Sequence, residues 1–321
     1  MKKMVVVLIA AFFCACKTQS PGDGRLYHRT DFYKSSVEAS QKIEDRIVPA
    51  AGNVIDYLEA LDSTENYDSY SLATEEKALF GEYLKMLPRN FQNIIAEKVI
   101  AIYFINNFMT AGMTNWAYDE DSNLYTVLFF NPDVLRQTVT DWVNYRDNSF
   151  FHDDNSGVII SAKCGGDYYA LLSVLLHEAS HIYDYYHRVT PYTEPVFNDG
   201  SVVTTCFVDG IWAGYNTPLA IYNFNHRDEL NAYGFGYTLD RIRALDIYKD
   251  LKNTPFVSIY GSGTWAEDFA EAFTWAYLKE KFDVTYTVEI SVNDEIMLTF
   301  SPLQNVHFQN RMRYLRELFK N

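Results

Sequence analysis

Basic residues, glycine, proline and cysteine are all scarce in this chain. Of its 321 residues, 27 are Lys or Arg against 42 Asp or Glu, a formal net charge of −15. Phosphate contact needs clustered Lys and Arg, so this balance argues against a nucleic-acid partner. With 15 Gly and 9 Pro the chain is neither collagen-like nor a linker. At 48% hydrophobic and 21% charged residues it is too apolar for a disordered chain. No apolar run reaches the length of a transmembrane helix, about 20 residues. What is abundant is aromatic: 25 Tyr and 22 Phe. The length allows one large domain or two small ones, with a sizeable core.

The N-terminus has the marks of a leader. Lys2 and Lys3 precede the apolar run Val5 to Phe13, which is too short to span a bilayer. Cys14-Ala15-Cys16 follows, and a small residue before a cysteine resembles a bacterial lipoprotein lipobox. Phe13 is too large for the position before Cys14, so Cys16 is expected to be the acylated first residue, residues 1–15 a signal peptide and residues 16–35 a small, polar tether. An ordinary secretory signal is the alternative. Loss of Lys2 and Lys3 leaves 25 basic against 42 acidic residues, a net charge of −17. A polybasic membrane mode is thereby excluded, and membrane contact is expected through the lipid anchor only, in the bacterial cell envelope, periplasmic or surface-exposed. Such a compartment permits a disulfide between Cys164 and Cys206; two buried thiols are the other reading.

The pattern predicts an α+β chain, helix-rich with a small mixed sheet. Apolar residues recur at helical spacing over 36–61 and 75–109, as in Phe91, Ile94, Ile95, Val99 and Ile102, with Pro49 and Pro88 interrupting. Residues 36–150 thus read as a mostly helical N-terminal lobe, with one strand over Leu124 to Phe130. Residues 151–321 form the second lobe. In it, Gly157 to Ala162 reads as a strand, Ala170 to Arg188 and Thr264 to Lys281 as strong helices, Arg227 to Leu251 as a further helix, and the alternation around Asn293-Asp294 as a hairpin.

The chemistry concentrates in His177-Glu178-Ala179-Ser180-His181. The i, i+4 spacing puts both imidazoles on one helix face, where they can grip one metal ion. Glu178, one step round, can reach a water on that ion without becoming a ligand. Given the His and Glu content, the pattern arises by chance about once in a hundred such chains. Zinc needs a third protein ligand and an open fourth position. His187, six residues after His181, is turned away from the pair. Glu267 and Glu271, also i, i+4, sit among Trp265, Phe269, Ala270 and Phe273, which do not describe a solvated helix. Buried carboxylates need a partner, and a dication is a good one. His226 and Asp268 are the competing third ligands.

The stretch Tyr260-Gly-Ser-Gly-Thr-Trp-Ala-Glu267-Asp-Phe-Ala-Glu271-Ala-Phe273 resembles the corresponding stretch of the anthrax lethal factor-type metallopeptidases, which follow the gluzincin plan. The resemblance covers residues 170 to 280 and implies a zincin-like fold over 151–321. Residues 188–259 depart from it, being longer than the family core requires, and are expected to be an insertion that forms a lid or substrate-binding wall. It implies Glu267 as the third zinc ligand beside His177 and His181. It implies Tyr260 as an oxyanion donor, for which an aromatic packing residue is the plainer reading, and Glu271 and Asp184 as groups that orient the histidines. Glu178 is the expected general base. Three functions compete: an envelope-anchored zinc metallopeptidase acting on a peptide or protein substrate; a catalytically inactive zincin-like lipoprotein that binds a glycan or protein; and a structural envelope protein without metal. Glu178 favours the first, because a purely structural site has no need of a base.

Overall fold

The computed structural model describes residues 26–33, 42–192 and 204–319. The expected leader, its acylation site Cys16 and most of the tether lie outside them. Helix outweighs strand, and the strands fall into several small sheets, as an α+β chain requires.

The first half runs α1 (Gly52–Asp62), β1 (Asp68–Tyr70), α2 (Thr74–Met86), α3 (Arg89–Lys98), β2 (Val99–Asn106), β3 (Gly112–Tyr118) and β4 (Leu124–Phe130). The strands form one mixed sheet in the order β1-β2-β4-β3, with β2 and β4 parallel and the other pairs antiparallel. Val99, Ile102 and Phe104 of β2 face the larger apolar cluster, whereas Ile100, Tyr103 and Ile105 face a second one closed by Tyr33 and by Val54 and Leu58 of α1. This corrects the helix expected over 75–109. The helical period is real as far as Lys98, but a strand buried on both faces is a continuous apolar run with no period of its own, and it reads as more of the same helix.

The second half runs α4 (Val139–Ser149), β5 (Phe151–His152), β6 (Val158–Cys164), α5 (Ala170–His187), β7 (Trp212–Gly214), β8 (Thr217–Pro218), β9 (Leu239–Asp240), α6 (Ala244–Leu251), α7 (Trp265–Phe282), β10 (Tyr286–Val292), β11 (Glu295–Phe300) and α8 (Val306–Leu318). Strands β11, β10 and β6 make an antiparallel sheet. Asn293 and Asp294 both take positive φ, 48° and 69°, as the two-residue hairpin turn requires. The helix expected over Arg227 to Leu251 is only α6, preceded by two short 3-10 turns. Residues on both sides of position 150 share one apolar cluster, which includes Phe80, Phe91, Leu175 and Phe273. Cys164 and Cys206 are free thiols, Cys206 being exposed, so neither a disulfide between them nor two buried thiols describes them. Among the described residues no helix is long and apolar enough to cross a membrane.

Residues 26–33 strap across the outer strand β3. Arg29 pairs with Tyr118, and the His28 ring stacks on Trp116 at 3.6 Å with Nδ1 3.2 Å from the Trp116 carbonyl. Burial, partly offset by that carbonyl, lowers the His28 pKa from 6.5 to about 4. The unfolded chain therefore binds the extra proton first, so the strap's contribution is complete above pH 6.5 and is lost as pH falls toward 4. His28→Phe should keep the stack and flatten the loss of stability over that window in chemical denaturation; an unchanged pH dependence would remove His28 from the cause.

Candidate metal centre

The site forms where α5 packs on α7 with the start of β3 alongside. Helix α5 is buried nearly all round, with Leu171, Leu172, Leu175 and Leu176 fully enclosed. Its middle turns bring His177 and His181 to the face that meets α7. Thr264 caps α7, its hydroxyl accepting from the Glu267 N–H, so that Glu267 lies in the first turn, facing the histidines.

His177, His181 and Glu267 offer ligand atoms that all lie within 4.8 Å of one another. His177 Nε2 is 3.1 Å from Glu267 Oε2 and 3.2 Å from His181 Nε2, and the third edge, His181 Nε2 to Glu267 Oε2, is 3.6 Å. A tetrahedron whose ligands stand about 2.0–2.1 Å from a zinc ion has edges of about 3.3 Å. The three atoms match one face of it.

The surrounding charges ask for a cation. Glu178, Glu267, Glu271 and Asp147 are buried, and among the described residues Arg146 is the one permanent cation that pairs with any of them. Burial disfavours a charged His177, yet hydrogen bonds to Glu267 and Glu271 outweigh it and raise its pKa to about 10. The pair of histidines conversely holds Glu267 well below the usual carboxylate range, against the pull of burial. A metal ion would take the place of that bound proton.

Glu271 turns one oxygen to His177 Nδ1 at 3.3 Å, which fixes the tautomer whose Nε2 lone pair faces the other ligand atoms. Its second oxygen accepts from Arg146 Nη1 at 2.8 Å, Ser258 Oγ at 2.7 Å and Trp275 Nε1 at 3.3 Å. Arg146 is held in turn by Asp147, which accepts from Arg146 Nε at 3.0 Å and from the Tyr286 hydroxyl at 2.6 Å. The partner of Glu271's charge is thus an arginine as well as a histidine. Glu178 is buried beside this group; burial raises its pKa, with His177, His181 and the Thr114 hydroxyl at 2.8 Å pulling the other way. Gly112, at the start of β3, lets that strand come close: a Cβ there would stand 2.9 Å from Val174 and 3.1 Å from Glu178.

Tyr260 stands over the centre, its ring 5.8 Å from that of His177, and burial keeps its phenol protonated. The other residues singled out in the sequence make contacts of their own. Asp184 accepts from the Thr190 N–H at 2.6 Å and its hydroxyl at 2.5 Å, fastening the chain where it leaves α5. Asp268 points to the far side of α7, into a two-pronged pair with Arg311 of α8 at 2.8 and 2.7 Å. His226 pairs with Glu229, and His187 stacks on Tyr183. Thr114, Arg146 and Tyr233 at the site went unremarked in the sequence, as did Asp147, Ser258 and Trp275 around Arg146 and Glu271. Only Arg146 left a trace there, a charged residue on a helix face otherwise made of Trp142, Val143 and Phe150.

Two cavities flank the centre. One, of about 40 Å³, is lined by His177, Glu178, Val143, Val174, Tyr233 and Trp275. The other, of about 90 Å³, is lined by Glu267, Tyr260, Thr264, Arg227 and Phe235.

No protein-family model, curated protein or solved structure matches the chain.

Arg146→Leu should leave Glu271 and Asp147 buried without their counter-charge and cost about 3–5 kcal/mol in urea unfolding. Arg146→Lys should recover part of it. A loss under about 1 kcal/mol would show that the pairing carries little.

Proposed function

We propose that this chain is a zinc metallopeptidase on a zincin-like plan. The single observation that carries the reading is the partly buried triangle of His177 Nε2, His181 Nε2 and Glu267 Oε2, with Glu178 beside it and not part of it. Three neutral or anionic N and O donors with room for a fourth ligand suit zinc. Zinc, when bound, would supply a Lewis acid and bring the pKa of a water toward about 7.

The chain's own residues would do the rest. Glu178, with its pKa raised by burial, takes a proton from the attacking water and returns it to the leaving amine. Thr114, donating to Glu178 Oε2, fixes the carboxylate. Glu271, through Nδ1, keeps His177 in the ligating tautomer. Tyr260 offers a neutral phenol to negative charge developing on the carbonyl oxygen. Strand β3 is the outer strand of its sheet and meets α5 at Thr114 and Glu178, so an extended peptide laid along its edge at Thr114, short of the Arg29 bridge at Tyr118, would reach the base. On this reading the lipid on Cys16 would hold the enzyme in the envelope.

Glu178→Gln should keep stoichiometric zinc and lose peptide hydrolysis by a factor of about 10²–10⁴. Glu267→Ala should lose zinc. Hydrolysis by Glu178→Gln at the parent rate would rule out the mechanism, and undiminished zinc in Glu267→Ala would send the third ligand elsewhere. Tight zinc binding by a parent protein that cuts no peptide would favour the non-catalytic binding lipoprotein.

A further inference from the structure

We propose that the smaller cavity receives the side chain of the substrate residue on the leaving-amine side of the scissile bond, and that it selects a small one, threonine above all. The inference rests on the peptidase reading and names its substrate class. Glu178 must pass its proton to the leaving nitrogen, so the residue carrying that nitrogen has to lie next to Glu178. The cavity that Glu178 and His177 line is the 40 Å³ one; the other is lined by Glu267 and by neither Glu178 nor His177, and Tyr260 borders both.

Size sets the first limit. One water needs about 10–15 Å³ measured in this way, so a cavity of about 40 Å³ holds about three non-hydrogen atoms. That admits the side chains of Ala, Ser, Thr and Val. The walls are rigid helix and aromatic surface: Val143 and Trp142 of α4, Val174 of α5, Trp275 of α7 and Tyr233, which is held at φ 58°.

Charge sets the second limit. Arg146 lines the cavity, but its guanidinium is already engaged by Asp147 and Glu271. An acidic side chain finds no free cation there and meets two carboxylates.

Polarity sets the third. Thr274 lines the cavity from α7, is 2% exposed, and its hydroxyl has no hydrogen-bond partner among the described residues. A buried hydroxyl without a partner is costly, and a threonine or serine hydroxyl entering the cavity would supply one. The apolar walls suit the threonine methyl, which separates threonine from serine.

The test is a peptide library varied on both sides of the scissile bond, cut by the zinc-loaded parent and sequenced at the new N-termini. Small residues, with Thr first, should exceed Leu and Phe at that position by at least about tenfold in kcat/KM. Val143→Ala should shift the choice toward Leu, and Thr274→Val should abolish the preference for Thr over Val. Binding of product-like peptides that begin with Thr or with Phe, followed by tryptophan fluorescence from Trp142 and Trp275, reads the same choice without turnover. New N-termini that are as often Leu or Phe would overturn the cavity's role, as would a Val143→Ala shift confined to the other side of the bond. A zinc-loaded protein that cuts no peptide in the library would bring down the peptidase reading and this inference together.

Discussion

Glu271 is buried between Arg146 of α4 and His177 of α5 while belonging to α7, so one carboxylate ties three helices to a common point. Its negative charge is tolerated in the interior because each oxygen has donors: three on one side, a histidine nitrogen on the other. The arrangement fixes the distance between α5 and α7 and the rotation of the His177 ring. Both are needed before Glu267, one turn earlier on α7, can meet the two imidazoles at 3.1 and 3.6 Å. Buried ion pairs of this kind add little net stability, since desolvation offsets attraction, but breaking one exposes a lone buried charge. The pair's value here lies in geometry. Asp268 and Arg311 repeat the device on the other side of α7, holding α8 rather than the centre.

The rest of the site is brought in by backbone placement. Gly112 lets β3 approach α5 closely enough for Thr114 to reach Glu178. Tyr233, in left-handed backbone, leans into the cavity from the segment after α5. Tyr260 follows from the short turn before α7, whose ring meets that of Tyr233 at 5.9 Å. Each is a single residue supplied by a different stretch of chain, around the group of His177, His181 and Glu267 that two helices alone provide.

That division explains what could be read beforehand. His177, Glu178 and His181 lie within five residues of one helix, so their joint chemistry is written in local spacing. Glu267 was legible through a resemblance to known metallopeptidases and through the apolar company it keeps, and the structure places it against the pair. The bonds from Thr190 to Asp184 were not legible, because closeness in sequence to His181 says nothing of which way a side chain turns at a helix end. Arg146 and Thr114 are far from the motif in sequence, and no periodicity records that α4 and β3 come to rest beside α5. The strand Val99–Asn106 was hidden for a different reason, since burial on both faces erases the alternation that marks a strand.

The central claim is a four-coordinate ion held by two imidazoles and one carboxylate. Zinc K-edge absorption on the zinc-loaded protein reads this directly. It should show four N/O neighbours at about 2.0–2.1 Å, the outer-shell signature of two imidazoles and no sulfur. A spectrum with a thiolate at about 2.3 Å, or with fewer than two imidazoles, would place the ion elsewhere and contradict the assignment.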